Sequence, residues 1–142
     1  MSDEIKFPAE LKIRLDWSEM DLFGHINNVM FFKYIQASRV NYWDEIKLMR
    51  NFNKTKIGPI LVSTTCQFKK PLFFPGHITT QARVDFIKNT SIGIQHRILN
   101  DKKELAAEAQ DVIVLYDFNS NEKVVIPQEV RKTIEDLEKR KF

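Results

Sequence analysis

Asp16-Trp17-Ser18-Glu19-Met20-Asp21-Leu22-Phe23-Gly24-His25-Ile26-Asn27-Asn28 runs without a break into the apolar segment Val29-Met30-Phe31-Phe32-Lys33-Tyr34-Ile35. The junction marks a change of period. Before it, Glu10 to Trp17 alternate polar and apolar, which sets Leu11, Ile13, Leu15 and Trp17 on one face of a strand. After it, Phe31, Ile35, Tyr42, Ile46 and Met49 recur at helical spacing, with Phe32, Val40 and Trp43 widening the stripe. No proline interrupts residues 28 to 49, so the spacing predicts a helix about 30 Å long. An aromatic stripe of that width has to be covered. At its start, acids, a histidine, a glycine and two asparagines crowd against the unpaired N–H groups that any helix start presents.

The remaining chain reads almost entirely as strand. Asn51 to Gly58 is a loop closed by Gly58-Pro59. Ile60 to Lys69 alternates, with Val62, Thr64, Cys66 and Phe68 inward and Ser63, Thr65 and Gln67 outward, and Pro71 stops it. Pro75-Gly76 turns the chain into His77 to Lys88, where Ile78, Ala82, Val84 and Phe86 share a face. Lys88-Asn89-Thr90 leads to Ser91 to Leu99, and Asn100-Asp101-Lys102 leads to Lys103 to Asp117. Val112 to Tyr116 is apolar on both faces, as an interior strand requires. Gln128 to Lys141 reads as a short surface helix behind Pro127. Strand, long helix, then a meander of about four strands gives an α+β fold, with an antiparallel sheet of about five strands around one long central helix. A single domain spanning 1–142 is expected. Its uncovered sheet edges predict self-association.

Bulk properties narrow the function. The net charge of +3 comes from Lys and Arg scattered among Asp and Glu, so there is no basic stripe for nucleic acid. The single cysteine, Cys66, sits in a strand pattern and reads as a reduced thiol. Met1 to Lys6 lacks a leader pattern and no apolar run is long enough to span a bilayer, so a cytoplasmic protein with no membrane partner is expected. His77 and His96 lie in strands without ligand company, so neither a metal nor a cofactor is expected.

Asp21-Leu22-Phe23-Gly24-His25-Ile26-Asn27-Asn28, followed by Phe31, Tyr34 and Arg39, resembles the D-x-x-G-H-x-N-N signature of hotdog-fold acyl-CoA thioesterases of the 4-hydroxybenzoyl-CoA thioesterase type. Phe68 to Gly76 resembles the strand end and Pro-x(4)-Gly turn of that family, and Lys123 to Pro127 its closing segment. The resemblance implies a hotdog fold and hydrolysis of an acyl-CoA, or of a thioester on acyl carrier protein, by a homodimer or homotetramer. It implies Asp21 as general base or nucleophile, with His25 and Asn28 completing the catalytic set. It also implies substrate contacts from Gly24, Asn27, Val29 and Phe31.

The chemistry accounts for these residue types. Thioester hydrolysis needs a group that attacks or activates water and donors for the charge that builds on the carbonyl oxygen. Amides of the first helical turn, at Asn28 and Val29, suit that charge, and Asn28 is also a candidate N-cap. Gly24 lets the chain turn, while His25 and Asn27 are expected to hold the loop or the carboxylate by hydrogen bonds. Asp16 reads as a strand-end acid, Glu19 as a solvated acid, Arg39 as the partner of an acid, and Lys69 and Lys70 as a solvated pair. Relatives carry an acid where this chain has Gln36 and Ala37, and a tyrosine where it has Phe31. Two other readings share the scaffold: a non-catalytic acyl-thioester binding module, which has no need of Asp21, and a hydratase acting on the acyl chain.

Overall fold

The computed structural model describes residues 5–142, so the first four residues of the expected leader-free start, Met1 to Glu4, lie outside the described residues. Strand β1 (Ala9–Arg14) leads through a 3-10 turn (Trp17–Glu19) to helix α1 (Asn28–Glu45) and the one-turn helix α2 (Phe52–Thr55). Strands β2 (Ile57–Phe68), β3 (His77–Ile87), β4 (Ser91–Leu99), β5 (Leu105–Asp117) and β6 (Glu122–Lys123) follow, then helix α3 (Gln128–Glu138). Every pairing is antiparallel, in the order β1-β3-β4-β5-β2, with the two-residue β6 added to β5. Helix α1 lies against β1, β3 and β4 of this sheet, the α+β arrangement that the sequence predicts. No helix among the described residues is long and apolar enough to cross a membrane.

The core forms two clusters strung along α1. Phe31, Tyr34 and Ile35 pack with Leu15, Ile26, Leu72, Ile78 and Ile98 near the helix start. Tyr42, Trp43 and Ile46 pack with Val84, Ile92, Ile94, Ile113 and Leu115 near its end. Each fully buried aliphatic side chain contributes about 1.5–3 kcal/mol. Helix α3 closes the second cluster with the fully buried Ile134, and Glu138 accepts hydrogen bonds from Tyr42 Oη at 2.6 Å and Val84 N at 2.8 Å. That carboxylate supplies an acceptor where β3 bulges after Val84.

Several expectations change. The helix ends at Glu45, because Lys47 takes a left-handed conformation with φ 54°. Met49 thus falls outside the helix, and Phe32 and Val40 face outward, each more than a third exposed. Trp17 leaves the strand face for the 3-10 turn and is 69% exposed. The expected loop after Asn51 contains α2 and the start of β2. Strand β2 is a sheet edge, and at the register shift between Leu61 and Ser63 Val62 is left 60% exposed, whereas Phe68, though also exposed, packs on Phe31 as its inward phase predicts.

Candidate active site

The loop before α1 is built by local hydrogen bonds. Asp16 caps the 3-10 turn by accepting from Ser18 N at 3.0 Å, and the Asp16 amide donates to Glu19 Oε1 at 2.9 Å. This reciprocal capping box fixes the turn. Glu19, expected in solvent, is buried instead: Tyr34 Oη donates to Oε1 and Lys33 Nζ to Oε2, each at 2.9 Å. Burial pushes its carboxyl up, but the bonds from Asp16, Lys33 and Tyr34 outweigh that and hold it below the usual carboxylate range. Burial and the Glu19 bond push the Tyr34 phenol above its own ordinary range.

Asp21 is held by a narrow loop closure. Its N–H donates to His25 O at 2.7 Å, and the flanking Met20 and Ile26 form an antiparallel bridge. Oδ1 accepts from Phe23 N at 2.8 Å and His25 N at 3.2 Å, an Asx-type turn. Oδ2 has no partner among the described residues, so one carboxylate oxygen holds the loop and the other is available. Gly24 sits at φ +81° with nothing within 4 Å of a would-be Cβ, so backbone conformation rather than space calls for glycine there.

The amides at the helix start resolve into one free donor. Ile26 N donates to Leu72 O at 2.8 Å, Asn27 N to Glu19 O at 2.9 Å and Met30 N to Asn27 O at 2.9 Å. Val29 N donates to the Asn27 side chain at 3.0 Å, so Asn27 rather than Asn28 is the N-cap. Of the two amides expected to face substrate, Val29's is therefore taken. From Phe23 to Met30, only the Asn28 amide lacks an acceptor among the described residues.

Asp21, His25 and Asn28 line one cavity of about 250 Å³, with Ile26, Phe31 and Phe68 as its apolar part. Phe31 and Phe68 meet edge to face at 5.1 Å between ring centroids. The His25 ring makes no hydrogen bond among the described residues and stands edge-on to Phe73 at 5.0 Å; it is the His25 amide that reaches the Asp21 carboxylate. Asn27 is spent on the cap, and the Val29 side chain is exposed. Lys69 and Lys70 border the cavity; Lys70 pairs with Glu104 at 2.5 Å. Another cavity of about 440 Å³ lies between the end of α1 and α3, away from Asp21.

A buried polar cluster had no place in the sequence reading. His96 Nδ1 meets Ser38 Oγ at 2.8 Å and His96 Nε2 meets Asp111 Oδ2 at 2.8 Å, while Arg39 donates to the same Oδ2 at 2.7 Å. Arg39 thus has the acid partner expected of it. Burial would raise the Asp111 carboxyl, but His96 and Arg39 hold it below the usual carboxylate range. Ser38, His96 and Asp111 are at most 2% exposed, so substrate has no path to them and the cluster seats α1 on β4 and β5. The signal lay in the strand phase: His96 falls on the inward set Ile92, Ile94 and Ile98, and Asp111 on the set Ala107, Ala109 and Ile113. No three His, Cys, Asp or Glu side chains converge as a metal site among the described residues.

The profile of the thioesterase-like superfamily matches residues 15–134. The uncharacterized protein YsmA of Bacillus subtilis (strain 168) is 22% identical over 123 residues, covering 87% of this chain and 82% of that protein. Among solved structures, a thioesterase from Thermus thermophilus complexed with coenzyme A and Zn superposes with a TM-score of 0.84 at 20% identity, over 96% of this chain and 98% of that one. The PA5185 protein of Pseudomonas aeruginosa superposes with a TM-score of 0.80 at 25% identity, over 92% of each chain.

Proposed function

The chain belongs to the thioesterase-like superfamily, and from that membership we propose that it hydrolyses acyl-CoA thioesters, with Asp21 as base or nucleophile and the Asn28 amide as oxyanion donor. One observation carries the reading: Asp21 Oδ2 and the Asn28 N–H are both unengaged and belong to residues lining the same cavity. A thioester carbonyl with its oxygen toward Asn28 gains negative charge as its carbon becomes tetrahedral. The amide, with the positive end of α1 behind it, stabilises that charge, and such a donor is worth about 10² to 10³ in rate.

With Asp21 as base, Oδ2 takes a proton from the water that attacks the carbonyl carbon, the C–S bond breaks, and the departing thiolate takes the proton up. With Asp21 as nucleophile, Oδ2 itself attacks the carbonyl carbon, the thiolate leaves the tetrahedral adduct as its C–S bond breaks, and water then cleaves the resulting mixed anhydride to free acid and the Asp21 carboxylate. Oxygen-18 from labelled water enters Asp21 only by the second route. His25 orients Asp21 through its amide and flanks the thioester with its ring; Gly24 and Asn27 shape the approach to the helix. Phe31 and Phe68 receive the acyl group, and Val29 contributes its exposed side chain at the cavity rim. The thioesterase complexed with coenzyme A is a structural neighbour that supports CoA as the carrier.

A homodimer follows from the sheet edges in this proposal. Strand β1 is short and carries Glu10, Lys12 and Arg14, whereas β2 has no charged residue from Ile57 to Phe68 and exposes Leu61 and Val62. Unprotected edges of that length pair with another strand, and a second copy supplies one. The functional reading is tested by offering purified protein acyl-CoAs with short, long and aromatic acyl groups in a thiol-trapping assay. Turnover of at least one group supports it, and tight binding with no thiol release supports the binding-module reading.

A further inference from the structure

Glu19 touches none of the cavity groups, yet it ties the loop carrying Asp21 to helix α1 in two ways. Its side chain accepts from Tyr34 Oη and Lys33 Nζ, and its carbonyl accepts from Asn27 N, the residue preceding Asn28. The tip of the loop cannot do this work: Leu22 is 100% and Phe23 83% exposed, so no packing restrains it. Asp21 is held from both sides of that tip, by Ile26 bonded to Leu72 and by Glu19 bonded to α1. Tyr34 is almost fully buried and fixed in the core, so its bond sets a position; Lys33 is largely exposed and adds little.

We propose that Glu19 is a positioning residue, which through Tyr34 and the Asn27 amide fixes the Asp21 carboxylate relative to the Asn28 N–H. Its catalytic half rests on the thioesterase reading above. The reacting groups sit on different sides of the Met20–Ile26 bridge, and a misplacement of about 1 Å between such groups costs about 10² in rate.

The test compares Glu19→Met, which keeps volume and removes both acceptors, with Glu19→Gln, which keeps the acceptor for Asp16 N and Tyr34 Oη. Tyr34→Phe removes the buried helix-side bond, leaving the exposed Lys33 contact, and stands in if Glu19→Met does not fold. With an accepted acyl-CoA, Glu19→Met should lower kcat about 10- to 100-fold with KM changed less than about threefold. Tyr34→Phe should fall in the same direction by about tenfold, and Glu19→Gln should keep most of kcat. Hydrogen exchange at Ile26 and Asn27 should quicken about tenfold in the first two variants and stay slow at Ile92 and Ile94 in all of them. Wild-type kcat in Glu19→Met or Tyr34→Phe, or an effect confined to KM, overturns the proposal. So does Glu19→Gln as impaired as Glu19→Met, which would assign the effect to charge. A wild-type protein that releases no thiol overturns the functional reading first, and with it the catalytic half; unchanged exchange at Asn27 in Glu19→Met overturns the positioning half independently.

Discussion

The side-chain oxygen of Asn27 accepts the Val29 amide at 3.0 Å, and this bond decides which N–H of the helix start is left without an acceptor. With Val29 capped and Met30 bonded to the Asn27 carbonyl, the Asn28 amide alone is unspent in this stretch among the described residues.

Asn27→Ala removes the cap and should lower the stability of the protein by about 1 kcal/mol, whereas Asn27→Asp and Asn27→Ser should retain most of it. Urea denaturation monitored by far-ultraviolet circular dichroism reads the difference. An alanine variant as stable as the wild type would contradict the assignment of the cap.

Asp111 joins His96 and Arg39 beneath α1, and its carboxyl is held below the usual range. A carboxyl depressed in the folded state contributes stability that is fully present above its unfolded pKa and is lost as pH falls through the folded value. Stability should therefore decline below about pH 4, and Asp111→Asn should flatten that acid limb. At neutral pH the same variant removes the buried charge that partners the half-buried Arg39 and should cost about 3 kcal/mol. Denaturation midpoints between neutral and acid pH check both signs.

Val62 is 60% exposed at the bulge of the uncharged edge strand, so a charge there costs the monomer little. Val62→Lys should convert a dimer to a monomer in sedimentation velocity while the circular dichroism spectrum is unchanged. A wild-type protein that sediments as a monomer would contradict pairing through β2.

Much of this fold was legible because the chain changes period where it changes structure. Strands β3 and β4 lie within a residue of the alternating runs His77 to Lys88 and Ser91 to Leu99, since the burial of β3 alternates and Ile92, Ile94 and Ile98 keep the same period of two in β4. The end of α1 was not legible: Ile46 and Met49 continue the helical spacing, and the left-handed turn falls on Lys47, where no glycine or proline announces it. Alternation in β2 could not say whether either face was covered, because an edge strand and an interior one can share a pattern. Glu19 reads as a surface acid since its partners stand 14 and 15 residues further on, across the loop. Asp21 stands out by its motif, but whether Asn27 or Asn28 caps the helix is a one-residue question between identical side chains. Only the hydrogen bonds answer it, and the free amide follows from the answer.

The central claim is that Asp21 Oδ2 performs the chemistry while Oδ1 holds the loop. Asp21→Asn keeps an oxygen for the Phe23 and His25 amides and removes the basic, nucleophilic one. Thiol release from an accepted acyl-CoA by this variant is the direct test. The account predicts a fall in kcat of about 10³-fold or more with an unchanged thermal midpoint. Wild-type turnover by a folded Asp21→Asn protein would contradict it.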